Sequence, residues 1–310
     1  MAVCTLVAGS YVAVAVVRGG SEASGDPNAR LGSSSVVVFQ HVRRDAGYAH
    51  VAMAPTDGSR TRRITPLTCE RVHYAANRGL CLLPEEDLLG PKFKAMIFGR
   101  DFRVRREIRL AGIITRARVS PDGRYGAATG FVMGHSYAED DFSTQTSLID
   151  MATGKVIADL EAFEVTLEGR RVRPQDRNFW GVTFARDGNR FYATMRTGGR
   201  TYLVEGDIGR RQLRTLHENV ECPSLSPDET RIAYKRRMGS GGEWRLYVLD
   251  LRTMQETALA EGRPIDDQAE WLDDRNVLYG LDGHVWSVPA DGSGRPRRFL
   301  SDALSPAVQR

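Results

Sequence analysis

A short turn signal recurs along this chain, and its recurrence limits the possible folds more than any other feature. The stretch VSPDGRYGAAT, residues 119–129, sets a Ser-Pro-Asp-Gly turn between an apolar residue and a strand-like run. Related stretches are FARDGNRFYA at 184–193, LSPDETRIAY at 225–234, WLDDRNVLYG at 271–280 and a degraded YAANRGLCLL at 74–83. With Asn77, Asp122, Asp187, Asp228 and Asp274 taken as equivalent, successive copies lie 45, 65, 41 and 46 residues apart. That spacing is the length of one four-stranded propeller blade, and the long interval must carry an insertion. The motif has a mechanical reason: Pro presets φ, Asp bonds back to the backbone and Gly tolerates positive φ, so an inner strand reverses into the next.

A second turn signal follows each copy: GRDFRV from 99, DMATGKV from 150, EGDIGRR from 205, DLRTMQE from 250 and PADGSGR from 289. Each unit is therefore two hairpins. One extra second signal, APTDGSRTR at 54–62, precedes the first complete unit, and its inner strand is missing there. The far end of the chain offers one, because ALSPA at 303–307 echoes SLSPD at 224–228. The reading is an all-β, six-bladed β-propeller over 36–310, closed by the C-terminal segment as inner strand of the first blade. A seventh blade would have to lie within 131–179. No window longer than about ten residues keeps an apolar spacing of 3.6, so helices are not expected in this region.

The N-terminus reads differently. Residues 2–17 are almost entirely apolar, end at Arg18 and lead into the Gly/Ser-rich GGSEASGDPNAR. Residues 1–20 are read as an apolar helix serving as membrane anchor or signal segment, and 21–35 as a flexible linker. The stretch is shorter than the roughly 20 residues of a spanning helix and lacks a positive n-region, so anchor, cleaved signal and buried strand all stay open. The first two place the protein outside the cytoplasm, anchored or secreted. Cys69, Cys81 and Cys222 would then meet oxidising conditions. With a turn at Asn77-Arg78, however, Cys81 faces Tyr74, and a regular ladder leaves Cys69 too distant for a disulfide.

Charge excludes one class of partner. Only four of the 43 basic residues are lysine, and 39 acidic residues are interleaved with the arginines, leaving no basic stripe for nucleic acid. The six histidines form no paired ligand motif and the cysteines no zinc spacing, so neither metal nor cofactor is expected.

VSPDGR, FARDGN and LSPDET, each followed by a short β-run and a strand such as RLYVLDL at 245–251, resemble the WD40-like repeats of TolB-type β-propellers over roughly residues 36–307. The resemblance implies a rigid ring. It does not imply an activity, since members range from periplasmic binding proteins to the non-catalytic domains of prolyl-oligopeptidase-like enzymes. No Gly-x-Ser-x-Gly elbow occurs in the sequence.

The long interval is the natural place for a grafted site, because binding residues collect on loops lengthened over a rigid scaffold. It supplies GHSYAEDDFSTQT at 134–146, with His135, Tyr137 and Phe142, and RRVRPQDRNFWG at 170–181, with Asp176, Arg177, Asn178, Phe179 and Trp180. The aromatics are candidate anchors for a partner and the polar residues set orientation, the mixture found at interface hot spots. The plainer alternative is that the aromatics cap blade cores and the charges are solvated. Glu139, Asp140 and Asp141 are successive carboxylates without an EF-hand pattern and are not read as a calcium site. Asp266 and Asp267 either line the channel mouth or end a turn, while Trp244, Trp271 and Trp286 are read as fillers between blades. No residue set demands chemistry.

The functional expectation is a monomeric, non-enzymatic scaffold that binds a protein or peptide. The alternative is a hydrolase or lyase acting on a lactone or glycan at the channel mouth, with catalytic residues scattered singly over several blades. If the insertion is the site, deleting residues 135–145 removes a partner captured by the intact protein in a comparative pull-down. An unchanged set of captured proteins would move the site elsewhere.

Overall fold

In the computed structural model, residues 25–310 are described except 27, 33, 60, 86–90, 133–142 and 240–241. The described residues form six sheets arranged as blades, antiparallel but for one added parallel strand in the fourth. The second blade is Arg71–Ala75, Arg78–Glu85, Lys92–Phe98 and Val104–Ala111, from the inside outward. The third, fifth and sixth begin with inner strands Ile113–Val119, Glu221–Leu225 and Glu270–Trp271 and repeat the same order. The fourth starts with Asn178–Phe184 and runs outward to Gln212–Glu218. The first blade draws on both ends of the described chain, since Ala303–Gln309 lies inside Val36–His41, followed by His50–Pro55 and Arg63–Thr68. Neighbouring inner strands contact one another around a central channel.

Alternation explains why the sheets stack. In Val36–His41, Val38 packs with Val72 and Tyr74 of the second blade, whereas Val37 and Phe39 pack with Leu278 and Val285 of the sixth. Both faces of the strand are buried, so its sequence VVVFQH opens with four successive apolar residues. The core is accordingly divided into clusters, each lying between two consecutive blades. Two glycines make room for aromatic rings across the sheet. A Cβ at Gly79 would run into the ring of Phe98, and one at Gly206 into the ring of Phe191.

The repeat aspartates hold the first hairpin of their blades. Asp122 Oδ1 accepts the Arg124 N–H at 3.0 Å, Asp187 Oδ1 those of Asn189 and Arg190, and Asp228 Oδ1 that of Thr230. In the sixth blade the role passes to Asp273, which accepts the Arg275 and Asn276 N–H groups, rather than to Asp274. The turn there is one residue shorter: Leu272 N bonds Asn276 O, where the third blade bonds Ser120 N to Tyr125 O.

Several expectations are corrected. The hairpin of the second blade turns at Ala76-Asn77, both with positive φ, not at Asn77-Arg78. Cys81 therefore pairs with Val72 instead of Tyr74, two residues closer to Cys69, and Cys69 and Cys81 form a disulfide with Cα atoms 5.6 Å apart. The long interval adds the hairpin Glu164–Leu167 and Arg170–Val172, which joins the outer edge of the fourth blade in parallel with Gln212–Glu218. Part of the expected linker is packed: Ala29 and Leu31 are buried against the first two blades, and Leu31 exchanges hydrogen bonds with Arg100. The expected apolar helix, residues 1–20, lies outside the described residues. Among the described residues no helix is long and apolar enough to cross a membrane.

The C-terminal strand is tied to three blades. It pairs antiparallel with the first blade from Val36↔Gln309 to His41↔Ala303. Ser305 Oγ bonds both Val72 N and Val72 O of the second blade at 3.2 Å, and Val308 N donates to Glu270 Oε1 of the sixth at 3.3 Å. Removing it would expose the inner edge of the first sheet and two apolar blade faces. Deletion of residues 302–310 should lower the melting temperature by more than about 10 °C in a calorimetric scan.

Candidate functional site

The channel has two mouths because every inner strand runs from one face of the ring to the other. On the turn face, where the Asp-containing hairpins lie, a cavity of about 210 Å³ is lined by His73, Arg118, Glu270 and Arg310. Arg118 of the third blade pairs with Glu270 of the sixth across the channel, and also donates to Ala269 O at 3.1 Å. Burial alone would raise the Glu270 carboxyl, but the Arg118 guanidinium, with His73 and Arg310, outweighs it and holds the group at about 2. Burial and then the same guanidinium lower His73, keeping it neutral while its Nδ1 accepts the Val119 N–H at 3.1 Å. This cluster is a charged strut between blades.

On the opposite face, where inner strands begin, a cavity of about 330 Å³ is lined by residues of the second to fifth blades and by Asp266. Its cations are Arg71, Arg116, Lys235 and Arg237, and its carboxylates Glu221 and Asp266. Strand periodicity puts them there: in Arg231–Met238, residues 233, 235 and 237 share one face, so Ala233 packs in the core while Lys235 and Arg237 reach the mouth. Arg237 pairs across the ladder with Trp244, and its guanidinium lies 4.7 Å from that ring centre. Lys235 Nζ lies 4.5 Å from the same centre. Glu221 Oε1 accepts the Trp244 Nε1–H at 2.9 Å and faces Arg237 at 3.3 Å.

Lys235 is the one buried lysine, with 2% of its surface exposed, and its Nζ is 2.5 Å from Asp266 Oδ1. Arg116 Nη2 approaches the same oxygen at 3.4 Å. Partial burial tends to raise the Asp266 carboxyl, but Lys235 and then Arg116 outweigh it and lower it. Among the described residues, no three His, Cys, Asp or Glu side chains are placed to share a metal ion.

Of the residues singled out by sequence, Trp180 and Asp266 meet at this mouth. Asp267 beside them accepts the Gly280 N–H at 2.8 Å and anchors the connector. Asp176 accepts from Thr197 Oγ1 and Gly198 N, both at 2.6 Å, which pins a turn of the fourth blade. Arg177 donates to Glu161 O and Pro174 O, and Asn178 Oδ1 accepts the Thr144 N–H at 2.7 Å. Phe179 is 0% exposed, in the core between the third and fourth blades. Thus 176–179 hold the entry of a strand. His135, Tyr137 and Phe142 lie outside the described residues. Trp271 is buried as a filler, but Trp286 lies only 4.1 Å from the Arg263 guanidinium and is partly exposed, as Trp244 is at the mouth. Arg71, Arg116, Glu221, Lys235 and Arg237 were not singled out. Arg71 and Glu221 open inner strands, Arg116 lies midway along one, and Lys235 and Arg237 lie in the second half of a second strand.

The structure superposes on TolB from Acinetobacter baumannii with a TM-score of 0.61 at 16% identity, over 91% of this chain and 68% of that one. The putative TolB from Agrobacterium tumefaciens gives 0.51 at 14% identity, over 86% and 89%. An oligogalacturonate lyase in complex with manganese gives 0.50 at 9% identity, over 78% and 72%. No family model and no curated protein matches the sequence. The fold is that of a TolB-like six-bladed β-propeller.

Two carboxyls, buried Glu270 and partly buried Glu161, should respond to pH in opposite senses. Glu270 is depressed, so its contribution is present above about pH 4.5 and lost as pH falls toward 2. Burial pushes Glu161 up to about 8, against hydrogen bonds from its own backbone and Thr146, so it favours the fold below pH 4.5 and loses that contribution as pH rises through 8. At neutral pH, Glu270→Gln should cost about 3 kcal/mol in urea unfolding by leaving Arg118 buried and unpaired. Glu161→Gln should stabilise the protein at pH 8 and lose that advantage at pH 4.

Proposed function

We propose that this chain is a binding propeller acting outside the cytoplasm, and that it receives a segment of a protein or peptide partner at the mouth lined by Arg116, Lys235 and Trp244. The observation that carries the reading is the composition of that mouth. Four cations face two carboxylates, and beside them the cross-strand pair Ile113 and Phe131 leaves 53% and 40% of its surface exposed. Apolar anchors beside charged groups suit a peptide chain, which presents both kinds of side chain.

Catalysis is not part of this proposal. The ionised groups at the mouth are engaged with one another, Glu221 with Arg237 and Trp244, and Asp266 with Lys235 and Arg116. Among the described residues lining it, the free thiol of Cys222 lies beside the Arg116 guanidinium and not beside a general base. A glycan fits less well than a peptide, because Trp180 is nearly buried and the Trp244 ring already carries two cations, leaving neither indole as an open platform for a sugar.

The compartment rests on two features. A disulfide joins Cys69 to Cys81, as oxidising environments favour, and the apolar run 2–17 suits a leader or tether. The ring is proposed to act as a monomer, held shut by its C-terminal strand.

A photo-crosslinking residue at Ile113 should capture a protein in the native host, whereas one at Val156, exposed on the outer edge of the third blade, should not. Ile113→Ser with Phe131→Ser should abolish partner capture in a pull-down while shifting stability by less than about 1 kcal/mol. Equal capture from Ile113 and Val156, or none from Ile113, would remove this reading.

A further inference from the structure

Resting on that reading, we propose that Lys235 and Arg116 form a receptor for a partner's carboxylate, and that Asp266 fills it as an internal surrogate in the unbound protein. The starting point is Lys235. Taking an ammonium out of water costs several kcal/mol unless a carboxylate compensates it, and here that partner is Asp266. Glu221 stands opposite Lys235 across the ladder but is engaged by Arg237 and the Trp244 indole N–H. It is itself buried and has no route to leave.

Asp266 differs from Glu221 in each respect that matters for exchange. Its side chain is 67% exposed although its oxygen touches a buried cation, so one side of the carboxylate faces solvent. It stands on the irregular connector between the fifth and sixth blades, not in a ladder. That connector is fastened on both sides of it, by buried Ile265 and by Asp267 on Gly280 N. A side-chain rotation therefore releases Asp266 into water without moving the backbone.

The exchange is balanced in charge. An incoming carboxylate keeps Lys235 and Arg116 paired, while Asp266 regains its hydration. A neutral amide cannot make the exchange, because it would leave the Lys235 ammonium buried without a counter-charge. The mouth thus selects an acidic residue or a chain-terminal carboxylate, with Ile113 and Phe131 positioned to cover an apolar neighbour in the same peptide.

The probe is a fluorescein-labelled, end-capped peptide of alternating leucine and glutamate, compared with its leucine–glutamine counterpart and with trigalacturonate. Asp266→Asn should bind the glutamate peptide about tenfold more tightly than the wild type, because the internal competitor is gone. The glutamine peptide should bind neither protein. Lys235→Gln and, separately, Arg116→Gln should each cancel the gain when added to Asp266→Asn, with melting curves recorded for both so that at least one folded variant decides. Equal affinity of wild type and Asp266→Asn, or equal binding of the two peptides, overturns the carboxylate receptor. Preferred binding of trigalacturonate also overturns it, in favour of an acidic glycan. Crosslinking from Ile113 that persists beside either result leaves the binding reading standing and removes only this one.

Discussion

Each blade of this ring buries both of its faces, and no blade can do so alone. Val38 turns to the second blade while Val37 and Phe39 turn to the sixth, so a single strand serves two interfaces at once. The requirement propagates around the ring until it meets itself, and it is met because strands from opposite ends of the described chain share one sheet. The hydrogen bonds of Ser305 to Val72 and of Val308 to Glu270 fasten that shared sheet to its neighbours on either side. Everything at the channel depends on this arrangement, since residues brought together there come from blades far apart in sequence.

The channel is polar for a geometric reason. Inner strands converge but do not interdigitate across the axis, so side chains directed there meet water or one another rather than a packed core. Arg118 and Glu270 span the gap as a buried pair, and the cost of taking both out of water is offset by their mutual contact and by donors such as Val308 N. At the other mouth the charges are less fully committed. Asp266 touches two cations while most of its side chain remains in solvent. One end of the channel is a strut and the other leaves a carboxylate open to solvent.

The insertion shows how a loop-like composition can conceal architecture. Its polar run ends in the strand Asn178–Phe184, and Asp176, Arg177 and Asn178 fix the entry of that strand. Asp176 and Arg177 satisfy backbone groups that a longer connection leaves open, on Gly198 and on Glu161 and Pro174. The same ambiguity ran the other way for Lys235 and Arg237. They follow Ile232 and Tyr234 in an ordinary-looking strand, and nothing local marks them as lining a channel.

The sequence by itself determined the blade, its period and most of the aspartate-bearing turns, because these are local signals: turn chemistry, alternation and spacing act over a few residues. Tertiary structure alone decided which charges meet. Arg116, Lys235 and Asp266 lie in three different parts of the chain, and their approach follows from how the third blade, the fifth blade and the connector after the fifth are set around the channel. It also decided the disulfide, since a one-residue displacement of the Ala76-Asn77 turn moves the pairing partner of Cys81 by two positions and brings Cys69 within reach. Local propensity shapes a blade, but only the angle and register between blades place two side chains a few ångströms apart.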